Sequence, residues 1–180
     1  MGEVAWPSGR VGQTGGLLRR RMAAERKGHR QGEVRTVEQA SALWEQGLRF
    51  AGRSGSGHQV AMDGVLEDGH GARPKELILV ALTGCTGMDV AAIMQKMGKR
   101  LDRFEMTAEG DTAESHPKVF TAIRLSYRGT GDEGALPHFM RAAELSFTKY
   151  CPVAAMLKPV AQVSYAVYWN EQLVVTGPSA

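Results

Sequence analysis

Residues 77–82 are all apolar, and the apolar character continues through Val90, Ala91, Ala92, Ile93, Met94 and Met97 until Gly98-Lys99-Arg100. The run predicts a long helix. Pro74 suits its first position, where a missing N–H costs nothing. Glu76 falls in the first turn, where the helix dipole favours an acid. A helix apolar on every side is expected to be buried on every side, so this one reads as the axis of the fold. Upstream, residues 47–53 read as a short strand, Ser54-Gly55-Ser56-Gly57 as a turn, and residues 58–63 as the returning strand of a hairpin. Residues 67–73 read as a loop. Downstream, residues 104–112 and 118–130 read as two strands about a turn at Ser115-His116-Pro117. In the second of these, Val119, Thr121, Ile123, Leu125 and Tyr127 form one face, with Arg124 and Ser126 between. Phe139, Ala143 and Phe147, spaced by four, predict an amphipathic helix over 136–150. Cys151-Pro152 opens a short helix ending near Lys158, and residues 162–169 form a last strand.

Residues 1–18 show no steady apolar period, and residues 19–46 hold enough helix formers for a marginal helix. The division expected is a flexible basic extension over 1–40 and one domain over 41–180. The 180 residues, 43% hydrophobic and 23% charged, are enough for one globular domain with a sizeable core. The run 77–82 is too short to span a membrane, and no charged start followed by an apolar stretch marks a secretory signal. The expected compartment is the cytoplasm. Charge is uneven: residues 1–33 carry seven basic residues against three acids, which more than accounts for the +3 of the whole chain. Such a segment could touch nucleic acid or an anionic surface. A solvated extension is the plainer alternative. The basic residues have no interleaved aromatics on which bases could stack, so no nucleic-acid partner is expected.

Two cysteines carry the candidate chemistry. Cys85 lies in the long helix between Gly84 and Gly87; Cys151 precedes a proline at a helix start. Cytosolic disulfides are usually transient and catalytic or redox-sensing, which favours a redox pair. The alternative is two small buried hydrophobes. Helical glycine costs about 1 kcal/mol relative to alanine, so Gly84 and Gly87 imply close packing of another backbone or a bend that exposes the thiol.

The run Arg73-Pro74-Lys75-Glu76-Leu77-Ile78-Leu79-Val80-Ala81-Leu82-Thr83-Gly84-Cys85, followed by Cys151-Pro152-Val153, resembles the OsmC/Ohr family of osmotically inducible and organic-hydroperoxide-resistance proteins. Gly-Cys-Thr-Gly-Met-Asp-Val looks more like the OsmC-like branch. The resemblance covers about residues 41–175. It implies an α+β fold with antiparallel sheets wrapped around long central helices in an intertwined homodimer. It also implies a thiol-dependent peroxidase that reduces organic hydroperoxides with a dithiol as reductant, in oxidative-stress defence and without a cofactor.

One cysteine would attack the peroxide as a thiolate and the other would resolve the sulfenic acid as a disulfide. By resemblance Cys85 attacks, but Cys151, at the positive end of a helix dipole, is also a credible thiolate. The family's arginine corresponds to Arg53 in Ala51-Gly52-Arg53-Ser54-Gly55, with Arg49 as the other choice. The family's orienting glutamate falls where this chain has Lys75. Glu76 follows, about 100° further round the helix. Asp89, one turn beyond Cys85, is a candidate substitute if it pairs with an arginine.

His29, His58, His70, His116 and His138 have no metal-ligand spacing, and two cysteines 66 positions apart make no zinc motif, so no metal is expected. No phosphate-binding glycine loop occurs. Two rivals stand beside the peroxidase: a redox-silent relative that binds a small apolar ligand at the dimer interface, and a nucleic-acid-associated protein using residues 19–30.

Overall fold

The computed structural model describes residues 37–65 and 69–177. The expectations for residues 1–36, including the basic segment and most of the marginal helix, lie outside the described residues. The chain forms β1 (Ala40–Gln46), β2 (Arg49–Ser54), β3 (Gln59–Asp63), α1 (Pro74–Lys96), β4 (Arg103–Thr112), β5 (Phe120–Thr130), α2 (Leu136–Leu145), α3 (Pro152–Leu157), β6 (Gln162–Trp169) and β7 (Gln172–Gly177). This is an α+β architecture with two sheets, ordered β1-β2-β3 and β4-β5-β6-β7. Neighbouring strands are antiparallel except β5 and β6, which run parallel. Between those two lie α2 and α3, a crossover of the length that parallel strands need.

The first sheet corrects the expectation of a marginal helix as far as residue 46. Ala40–Gln46 is a strand paired with β2, Trp44 opposite Phe50. Helix propensity is a weak prior, and cross-strand pairing overrides it. The turn falls at Gly47, whose φ of 53° suits glycine, and the Trp44 indole N–H donates to the Gly47 carbonyl at 3.0 Å. The strand expected over 47–53 therefore begins at Arg49. At the end of β3, buried Asp63 accepts from the Val65 and His70 backbone N–H groups and from Arg49 Nε. Those donors hold its carboxyl below the usual range, the backbone of Val65 contributing most.

Helix α1 begins at Pro74, as predicted, with Arg73 as its cap. The Arg73 backbone N–H and Nε donate to the Glu76 carboxylate, each at 2.9 Å, and a second guanidinium nitrogen closes the pair. Within one chain the burial of α1 is one-sided. Leu82, Thr86, Val90 and Met94 form a buried stripe at four-residue spacing, whereas Val80 is 60% and Met88 74% exposed. One chain covers one face of this helix. Taken over its full length and not over 77–82 alone, α1 is long and apolar enough to cross a membrane, with a mean hydropathy of 1.9 over 18 residues. Core helices pass the same test, and the buried stripe of α1 packs on β4, α2 and α3.

The core lies between these helices and the second sheet. Ile123, Leu125 and Tyr127 point inward from β5 as predicted, but Phe120 replaces Val119 and Thr121 there. The ladder slips between Asp111 and Thr112, shifting the alternation by one residue. Phe139 packs on Phe104 and Trp169, with ring centroids 5.4 and 5.3 Å apart. The helix expected over 136–150 ends as α-helix at Leu145. Ser146–Tyr150 then form one π turn before Cys151, a rare winding frequent at functional sites. Strand β7 escaped the sequence reading: its burial is slight and it pairs at a sheet edge.

Candidate active site

Helix α1 carries Cys85 at its middle and Asp89 one turn later, and α3 begins at Cys151. The three meet. The two Sγ atoms and a carboxylate oxygen of Asp89 all lie within 4.8 Å of one another. Both thiols are free; Cys85 is partly exposed and Cys151 is buried. Cys151 caps α3, its Sγ accepting the Ala154 N–H at 3.3 Å, and its own N–H donates to the Ser146 carbonyl at 3.0 Å. Residues 66 positions apart thus lie side by side, with the π turn leading directly into Cys151.

The electrostatics separate the two thiols. Burial first, and the neighbouring Cys85 thiol second, push Cys151 up to about 12, against the Ala154 N–H. Both causes favour the neutral thiol at Cys151, against the sequence expectation that its helix position lowers its pKa. A six-residue helix offers little dipole to offset that burial.

Asp89 is anchored from α2's continuation. Ser146, fully buried, donates its hydroxyl to Asp89 Oδ2 at 3.0 Å and also lies 3.3 Å from the Thr86 carbonyl. Tyr127 is fully buried beside Thr86, Ser146 and Cys151, and its hydroxyl makes no direct hydrogen bond of good geometry. Burial pushes its pKa well above the usual phenol value. Lys158, half-buried, donates to the Phe147 carbonyl at 2.6 Å and lies 3.7 Å from the Phe147 ring centroid. Burial lowers its pKa, and proximity to the Cys151 sulfur works the other way. Ser146, Tyr127 and Lys158 were not singled out from sequence. The spacing of Ser146 from Phe139 and Ala143 was the available signal, since it lies seven and three residues on.

The other candidates sit elsewhere. Glu76 is engaged by Arg73 at the start of α1, and Arg73 in turn lowers its pKa. Lys75, in the place of the family's acid, donates to Thr112 Oγ1 at 3.0 Å and to the Lys118 carbonyl at 3.1 Å, tying α1 to the β4–β5 end. Arg53 is exposed on β2, its guanidinium 3.8 Å from the point a Cβ on Gly57 would occupy, at the β2–β3 turn. Arg49 is bound to Asp63. Beside the cysteine pocket runs an apolar groove of about 710 Å³, with Asp89 and Tyr150 near the thiols, Ile93 and Leu145 along its wall, and Lys96 two turns on.

The family described as OsmC-like protein matches residues 67–166, the segment holding both cysteines. The chain belongs to this OsmC-like family. Protein YhfA of Escherichia coli K12 is 37% identical over 128 residues, 71% of this chain and 95% of YhfA. A hypothetical protein from Aquifex aeolicus VF5 is 28% identical, with a TM-score of 0.63 over 76% of this chain and all of that one. An organic hydroperoxide resistance protein OsmC from Legionella pneumophila is 17% identical, with a TM-score of 0.56 over 76% of this chain and 99% of its own; at that identity the likeness shows the OsmC-like fold alone. YhfA carries no stated activity in its name, so the chemistry of this OsmC-like chain rests on its own site.

Proposed function

We propose that the protein is a two-cysteine thiol peroxidase that reduces organic hydroperoxides in oxidative-stress defence, as a cytoplasmic homodimer with a dithiol reductant. The observation that carries the reading is the meeting of Cys85 and Cys151 in one pocket, one reachable and one buried. Membership of the OsmC-like family supports a redox role.

Cys85 is the attacking group because it is the accessible one. Its sulfur takes the terminal peroxide oxygen; the O–O bond breaks, and the alkoxide leaves as an alcohol after taking a proton. Cys85 is then a sulfenic acid. Cys151 attacks that sulfur, a disulfide forms, and water leaves with the Cys151 proton. A dithiol returns both sulfurs to thiols and is itself oxidised to a disulfide. No prosthetic group enters the balance. The apolar groove takes the organic part of the substrate. The exposed face of α1, with Val80 and Met88, is covered by a second copy of the chain, which fits a helix this apolar.

One observation favours the redox-silent reading: Glu76 is held by Arg73 and Lys75 by Thr112, so neither serves the thiols. Consumption of cumene hydroperoxide by the reduced protein with dithiothreitol separates the two. Turnover that disappears in C85S supports the peroxidase. A folded protein with intact thiols and no turnover supports a binder of small apolar molecules in the groove.

A further inference from the structure

Two sulfurs and a carboxylate converging from two helices form a donor set of a particular kind. Soft thiolates with a harder oxygen suit zinc(II), and three protein ligands with a fourth position left for water are a recurrent arrangement for that ion. The sequence spacing gives no hint of this. Cys85 and Asp89 lie one turn apart on α1, and only the π turn brings Cys151 to them. The geometry points to a binding site for a thiophilic divalent metal ion, zinc(II) or a chemical relative, formed by Cys85, Asp89 and Cys151.

Two observations support the site. The ligand atoms are already within 4.8 Å of one another. Tetrahedral zinc with Zn–S bonds of about 2.3 Å needs sulfurs roughly 3.8 Å apart, so only a small contraction is required. The ligands are also held from behind, as metal ligands usually are: Ser146 fixes Asp89 at 3.0 Å, and the Ala154 N–H fixes Cys151 at 3.3 Å. Binding displaces one proton from each thiol that is protonated, which a divalent cation compensates.

The site does not depend on peroxidase activity; it needs only both thiols reduced. It does make metal and peroxide mutually exclusive, since the same sulfurs serve both. The disulfide form cannot hold the ion.

The test is a cobalt(II) titration of the full chain, reduced with a phosphine and freed of metal. Sulfur-to-cobalt charge-transfer absorption should rise to one ion per chain and disappear when zinc(II) is added. C85S should abolish it, and D89N should weaken binding about tenfold or more. Protein whose two thiols have been oxidised to the disulfide, verified by thiol count, should bind none. C85S changes a partly exposed residue, so the test does not rely on substituting buried Cys151. Absence of the charge-transfer band overturns the site. So does equal binding by C85S, by D89N or by the oxidised protein.

Discussion

Ser146 donates its hydroxyl to Asp89 at 3.0 Å, joining the π turn to α1 one turn beyond Cys85. The pair fixes a carboxylate beside the thiols and keeps the Cys151 turn registered against α1. A hydrogen bond to a charged group contributes about 1.5–3 kcal/mol, so its loss is a roughly 10- to 100-fold effect where the carboxylate matters. S146A, which removes the bond, is expected to lower kcat/KM for cumene hydroperoxide within that range, and D89N, which removes the charge, to lower it as well. Unchanged kinetics in D89N would remove Asp89 from the mechanism.

The thiols should react in order. Brief treatment of the native reduced protein with iodoacetamide near neutral pH is expected to label Cys85 and spare Cys151, which is buried and held protonated. Peptide mapping reads the two sites separately. Equal labelling would contradict the burial of Cys151.

One equivalent of organic hydroperoxide should produce an intramolecular Cys85–Cys151 disulfide. In C151S the same treatment should stop at a sulfenic acid on Cys85, trapped by dimedone and seen as a mass increment. A disulfide linking two chains instead would mean that the pair resolves across the dimer.

Alkaline stability should also bear the mark of Cys151. Its folded value is raised to about 12 from an ordinary 9, so the folded state binds a proton that the unfolded chain loses first. This contribution is complete below about pH 9 and is lost as pH rises toward 12. The unfolding midpoint of the wild type should therefore fall toward that of C151A as pH climbs from about 8 to 11. A constant gap between the two would show that Cys151 does not titrate in that window.

Val80, 60% exposed in a single chain, distinguishes a covered from an open α1. Exposed substitutions usually change stability by no more than about 0.5 kcal/mol. V80D should nevertheless convert a dimer to monomer in sedimentation, with the fold retained. A monomeric wild type would leave α1 open and sink the dimer.

Much of this was legible in the chain. Pro74 marked the start of α1, Cys151-Pro152 the start of α3, and residues 162–169 a strand in full. The cysteine pair came from two local motifs, and the fold joined them. What escaped depended on partners distant in sequence. Ala40–Gln46 reads as helix until β2 pairs with it, and the slip at Asp111 decides whether Phe120 or Thr121 faces inward. Ser146 is an ordinary residue in a local reading, and the π turn places it beside Asp89. Glu76 shows the converse: its position suggested a site role, and a cap with Arg73 claims it.

The five residues between Leu145 and Cys151 hold one more than an ordinary helical turn would use. Wind all five as ordinary α-helix instead, and everything after them turns by roughly a further quarter turn. Both helices would still form and both sulfurs would still be present. They would simply no longer see each other, and a protein with its full chemical complement would be inert through a change of angle alone.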